Sequence, residues 1–379
     1  MALQDRLRLY ADLEGYRGKP LIVYVTSTRA NAVGQIAQDV IPELINQLHS
    51  LPATEDLDFL VISNGGDGTV AWRIVSLIRE QVKKFSILIP HAAFSAATLI
   101  ALGADEIVMH PYGNLGPTDP QIHNPKKAIQ FGAEDVQAFL RFAREKVGLT
   151  DQEPLRDLFL KFGEEVGFTS IGVAARSSQL SLTMGEKMLQ HHMKDEKART
   201  KAKAISEALN SKYFHHGYPV SRSEARIIGL PIAKSDQRLE DLMWSIWKDL
   251  ELELKIRETF VPLDLVRANP ACQGLFAPVA QLQLPVGANG AALQILFQMY
   301  LQQVVTTSVP PTAFDNTLSI VESTRKASRF QMSGSIFAAR QHDLEMKVQV
   351  VPEKMGWIDV TMPAAAAQAA GQQGGGAVP

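Results

Sequence analysis

Cysteine is all but missing: Cys272 stands alone among 379 residues. That excludes an intramolecular disulfide and a cysteine metal cluster, and it fits a reducing compartment. Long apolar runs are also missing. No stretch approaches the roughly 20 apolar residues of a membrane-spanning helix. The opening "MALQDRLRLYADLEGYRGK" is charged and has no apolar signal core. Charge of one sign is missing too. The formal net charge is -2, which gives no electrostatic case for nucleic acid or an anionic membrane surface. There is no internal repeat. The expectation is a soluble cytoplasmic protein, with peripheral membrane contact left open.

What is present is ordinary for a globular chain. Hydrophobic residues make up 46% and charged residues 21%. The length suits one large domain or two medium ones. "PLIVYVTS" (20–27), "LDFLVIS" (57–63), the run from Phe85 to Pro90 and "DEIVMHP" (105–111) read as buried strands. Between them, "DVIPELINQLHSL" (39–51) and "VAWRIVSLIREQV" (70–82) carry helical spacing. This alternation predicts an α/β fold with a parallel sheet of crossover units. Residues 130–210 read as helical, and "DQRLEDLMWSIWKDLELELKIRETF" as a long amphipathic helix whose Trp244 and Trp247 anchor a core or an interface. Three segments are expected: a main domain over 1–261, a smaller β-rich antiparallel unit over 262–360, and a low-complexity, disordered tail over 361–379.

Two stretches stand out at carboxyl ends of strands, where such sheets bind ligands. One is "NGGDGT" at Asn64–Thr69; the other is "HAAFSAAT" at His91–Thr98. Ser95 sits where a strand hands over to a helix, among Ala92, Ala93, Ala96 and Ala97. As a helix N-cap, a serine there needs no further explanation. As a nucleophile, it would use its small neighbours to let a substrate backbone approach. The glycine loop also has two readings. "GGDGT" resembles the loop of NAD and diacylglycerol kinases, with Asp67 serving phosphoryl transfer, but the further kinase motifs do not follow downstream. Alternatively, Gly65 and Gly66 flatten the backbone beside a reacting carbonyl and help build an oxyanion hole. The partner N–H would come from Ala96. The histidine pairs His191–His192 and His215–His216 lack the carboxylate spacing of a zinc site, and no metal or other cofactor is expected.

"ISNGGDGTVAWRIVSLIRE", "IPHAAFSAATLIALGADEIVMHPYGNLGPTDPQI" and "GYPVSRSEARIIGL" together resemble the serine dehydrogenase proteinase family of Clp-fold serine peptidases. That family is related to signal peptide peptidase A and the Clp protease subunits. The resemblance covers about 20–232 and implies a Clp/crotonase-like stack of βαβ units. It implies Ser95 as nucleophile, with Gly65 and Gly66 bordering an oxyanion hole and the N–H groups of Gly66 and Ala96 as donors. Ala97 stands where the family commonly has glycine.

A serine hydroxyl needs a general base. In the Clp subunits it is a histidine, and the matching loop here places Thr118 or Asp119 at that position, with His123 offset. In the signal peptide peptidases it is a lysine near a helix start, and "MGEKMLQHH" puts Lys187 there. A lysine base must be buried or beside positive charge to be neutral. Asp119 is a candidate for orienting a base or touching a neighbouring subunit. The resulting expectation is a peptidase working through an acyl-enzyme at Ser95, with Lys187 as base. Peptide or protein segments, membrane-derived ones included, would be the substrates, and a homo-oligomer the assembly. An inactive or acyl-CoA-type member of the same superfold is the alternative.

Overall fold

The computed structural model describes residues 3–124, 129–278, 281–283, 286–287, 289–305, 309–341 and 345–363. Helix α1 (Leu3–Arg17) leads into strand β1 (Leu21–Thr26). A small ribbon, β2 (Thr28–Arg29) and β3 (Ala32–Val33), precedes α2 (Val40–His49). Then come β4 (Asp56–Ile62), α3 (Gly68–Gln81), β5 (Lys84–Ile89), β6 (Ala92–Ala93), α4 (Ala96–Leu102), β7 (Glu106–Met109) and β8 (Asn114–Leu115). The hairpin β9 (Gln121–Asn124) and β10 (Ile129–Gly132) opens a helical stretch. It comprises α5 (Ala133–Glu145), α6 (Gln152–Val166), α7 (Phe168–Leu189) and α8 (Glu196–Ser211). Strand β11 (Val220–Ser221), α9 (Arg222–Ile227) and α10 (Gln237–Glu253) follow. The chain continues through α11 (Pro262–Ala268), α12 (Gly290–Val304) and the long strands β12 (Thr312–Glu322), β13 (Ala327–Arg340) and β14 (Met346–Asp359).

Strands β1, β4, β5 and β7 pair in parallel, as the alternation of strands and helices predicts. Their apolar runs are continuous because both faces are covered. Ile22 and Tyr24 of β1 join the core under α2, α3 and α4. Leu21, Val23 and Val25 face the opposite way, into the core shared with α1 and α10. Trp247 is buried in that second core.

The C-terminal β-rich unit differs from expectation in one respect. It has a small core of its own around Val266, Cys272, Leu275 and Phe314. Yet β12 pairs antiparallel with β1, so β12–β14 complete one seven-stranded sheet in the order β14-β13-β12-β1-β4-β5-β7. The free edge of β1 is satisfied by this return of the chain rather than left as a domain boundary. The segment expected to be a low-complexity tail lies, from residue 364 on, outside the described residues.

Four histidines pack against this frame. His91 stacks on Trp247, with ring centroids 4.4 Å apart, and His110 on Trp244 at 5.0 Å. His191 stacks on Trp72, and His192 Nε2 lies 3.2 Å from the Leu102 carbonyl. Burial lowers the pKa of each, and at His191 the positive Arg79 adds to it. A depressed folded pKa means the unfolded chain binds more protons below about pH 6.5. Stability is therefore expected to be level above that pH and to fall as the pH drops through the folded-state values. Thermal melts from pH 7.5 to 5 test this; a melting temperature that holds or rises on acidification contradicts it.

Candidate active site

A second, small sheet builds the site. Strand β6 pairs in parallel with β8, and β8 pairs antiparallel with β11. Its β6 edge is joined to the end of β4: Ser63 N–H donates to the Ala92 carbonyl and Phe94 N–H to the Ser63 carbonyl, each at 2.9 Å. The glycine loop after β4 and the serine turn after β6 are thereby locked side by side.

Ser95 is half-buried and has φ 54° and ψ -115°. This is a region that non-glycine residues rarely occupy and that costs about 1–3 kcal/mol. The residue stands at the N-cap position of α4, but its side chain makes no capping hydrogen bond. The N-cap reading therefore does not explain the serine. A strained strand-to-helix turn that exposes a hydroxyl is the geometry of a nucleophile elbow. The turn is set by its neighbours. Thr98 Oγ1 donates to the Ala93 carbonyl (2.7 Å) and accepts from Gly116 N–H (3.1 Å). Gly116 has no room for a side chain, since a Cβ there would lie 2.1 Å from the Phe94 ring. Ala97 is fully buried in the core beneath α4, so its methyl does not narrow the cleft.

Gly65 lies directly against the serine. A Cβ on it would fall 2.6 Å from Ser95 Cβ and 3.2 Å from Ala96 N. Both Gly65 (φ 108°) and Gly66 (φ 149°) have backbones that favour glycine. Their amides differ in use. Gly65 N–H donates to Ser63 Oγ (3.0 Å), whereas Gly66, at the exposed lip, donates to nothing among the described residues. Ala96 N–H, in the first turn of α4, is likewise without an acceptor there. The structure thus brings together a hydroxyl and two spare backbone donors. Asp67 is occupied elsewhere: its Oδ1 caps α3, accepting from Thr69 N–H and Thr69 Oγ1 at 2.7 Å each. A turn residue and cap accounts for it.

The basic residues suggested by sequence lie apart from this centre. Lys187 does not open a helix; α7 begins at Phe168 and Lys187 is in its last turn, exposed. The apolar neighbours Met188 and Leu189 point into the core on the other face. Along α7, Ser181 Oγ donates to the Thr118 carbonyl (2.6 Å) near the site, while Gly185 packs against Leu102 at the far end of α4. Lys187, two residues further on, is without the burial that the lysine reading needs. His123 is exposed on β9, opposite Gln130. Asp119, by contrast, is mostly buried and has a partner: its Oδ1 lies 2.8 Å from His216 Nδ1, and its Oδ2 accepts from Gln121 Nε2 at 2.9 Å. His216 drew attention in the sequence only as half of a histidine pair. The signal available was the "YPVS" segment beside it, whose strand β11 pairs with β8.

Among the described residues, no helix is long and apolar enough to cross a membrane. Two uncharacterized proteins of Methanocaldococcus jannaschii are similar to this chain. One is 25% identical over 61% of this chain and 72% of its own length; the other is 21% identical over 70% and 86%. Two solved structures of a 1510-N membrane-bound stomatin-specific protease, one in complex with a substrate peptide, also match. They are 15% and 16% identical, each covers 58% of this chain, and they cover 82% and 78% of their own chains at TM-scores of 0.36 and 0.34. A family model matches residues 36–135, the segment that holds the glycine loop, Ser95 and Asp119. The family whose motifs the sequence resembles is thus the one that this segment matches: the ClpP-like SDH-type serine proteinases.

Proposed function

We propose that the chain is a serine peptidase that cleaves peptide bonds through an acyl-enzyme at Ser95. The observation that carries this reading is the strained Ser95 turn seated on Gly65, beside the N–H groups of Gly66 and Ala96, which have no acceptor among the described residues. Ser95 Oγ attacks the scissile carbonyl, and the carbonyl oxygen becomes an oxyanion. Donors already fixed in place stabilise that charge without reorganising. Collapse of the tetrahedral intermediate expels the amine, and water then releases the acyl group. A peptide lying extended along the glycine loop would present its carbonyl to both donors, so peptide or protein segments are the substrate class. Assembly into a homo-oligomer belongs to the same reading.

A fluorophosphonate probe tests it. The folded wild-type chain is expected to label at one residue, and Ser95→Ala to lose labelling and peptide hydrolysis together while keeping the wild-type circular dichroism spectrum. Undiminished labelling of Ser95→Ala would remove Ser95 from the role.

A further inference from the structure

We propose that His216, held by Asp119, is the general base for Ser95; this rests on the peptidase reading above. Ser95 Oγ makes no hydrogen bond to a described side chain, so its base must arrive from an element flanking the turn. The connection after β8 is such an element. Gly116 touches Phe94, the residue before Ser95, and only three residues of chain, about 10 Å at most, separate it from Asp119. That segment is fixed: Thr118 N–H donates to the Leu209 carbonyl (2.9 Å), and its own carbonyl accepts from Ser181.

His216 reaches the same place from β11. Because β11 runs antiparallel to β8, the residues preceding Val220 lie beside those following Leu115. A closed turn presents the ring. Gly217 N–H donates to His215 Nδ1, and Tyr218 N–H to the His215 carbonyl, each at 3.0 Å. His215 is spent in the turn, and His216 is projected onto Asp119.

The pairing fixes the chemistry of the imidazole. An ionised carboxylate only accepts hydrogen bonds. Asp119 Oδ1 therefore holds His216 with the proton on Nδ1, which leaves the lone pair on Nε2. Nε2 has no partner among the described residues. As Ser95 Oγ bonds to the substrate carbon, its proton passes to Nε2, and the imidazolium formed is stabilised by Asp119. The leaving amine takes that proton when the C–N bond breaks. In the second half, Nε2 takes a proton from the attacking water and returns it to Ser95 as the acyl bond is cut. Protons balance over the cycle, and no other cofactor enters.

The rate constant for fluorophosphonate labelling, with hydrolysis of a peptide substrate, is the readout. His216→Ala is expected to lower both by about 10²–10⁴-fold, and added imidazole to restore part of the loss. Asp119→Asn should fall into the same range, and Asp119→Glu should recover part of the rate by returning the carboxylate. Lys187→Ala and His123→Ala should stay within about twofold of wild type. Ser95-dependent labelling that is as fast in His216→Ala as in wild type would overturn His216 and leave the nucleophile standing. Loss in His216→Ala without imidazole rescue, together with equal loss in Asp119→Glu and Asp119→Asn, would assign the pair a structural role and overturn the proposal. Labelling that survives Ser95→Ala would overturn both readings.

Discussion

Gly65→Ala is expected to lower the labelling rate of Ser95 by about 10²–10³-fold, the loss typical of a displaced oxyanion donor. The added methyl would lie 2.6 Å from Ser95 Cβ and 2.8 Å from the Phe94 carbonyl oxygen. Neither neighbour is the end of a flexible side chain. One is fixed by the strained Ser95 backbone, and the other belongs to a residue bonded to Ser63. The φ of 108° adds a second penalty, because L residues rarely adopt it. Relief requires the glycine loop to part from the serine turn, which moves Gly66 N–H away from Ala96 N–H. A stability loss of about 1–3 kcal/mol should accompany the rate loss. Urea melts alongside labelling rates separate the two effects. A folded Gly65→Ala that labels within threefold of wild type would mean the loop does not serve the serine.

The parts of this site that sequence could show are those written within one segment. The parallel strands were legible because burial on both faces leaves an uninterrupted apolar run, as in β1 and β4. Ser95 was legible as a residue at a strand-to-helix turn, and the glycine pair as a loop at the same sheet edge. The φ of Ser95 was not, since nothing in "HAAFSAAT" distinguishes a relaxed N-cap from a strained turn. The Asp119–His216 pair was hidden for a different reason. Its members are 97 positions apart and meet through a two-residue ladder, too short to leave a periodic pattern. Lys187 looked suitable because "MGEKMLQHH" reads as the start of a helix, whereas it is the last turn of α7, beside the buried Met188 and Leu189. On a helix, however, adjacent residues point about 100° apart, and their burial says nothing of its own. The joining of β12 to β1 was likewise invisible: alternation in the C-terminal strands announces antiparallel pairing but not the partner.

The same long-range return of the chain creates the position where the largest loss of stability is expected. Arg6→Met should destabilise the fold by about 3–5 kcal/mol. Arg6 of α1 is fully buried. Its Nε and one terminal nitrogen donate to the two oxygens of Glu322, each at 2.8 Å, and the other terminal nitrogen donates to Asp249 of α10. Tyr10 adds a 3.0 Å hydrogen bond to Glu322. Burial alone would lower the pKa of the guanidinium; the hydrogen bonds and charge of Glu322 outweigh it and raise the pKa. Burial and the charge of Glu322 together push the Tyr10 hydroxyl up. One arginine thus ties the first helix, the long α10 and the C-terminal strand β12 to a single point behind the sheet. Methionine fills much of the space but leaves Glu322 and Asp249 buried without that counter-charge. Arg329, a second cation near Glu322, is 3.9 Å from it and is engaged with Glu253 at 2.6 Å. A further variant distinguishes a charge effect from a packing defect. Adding Glu322→Gln and Asp249→Asn to Arg6→Met should recover part of the loss, because neutral amides are cheaper to bury. Urea midpoints of the single and triple variants measure this. A loss below about 1 kcal/mol in Arg6→Met, or a triple variant no better than the single, would show that the ion cluster does not fasten these elements.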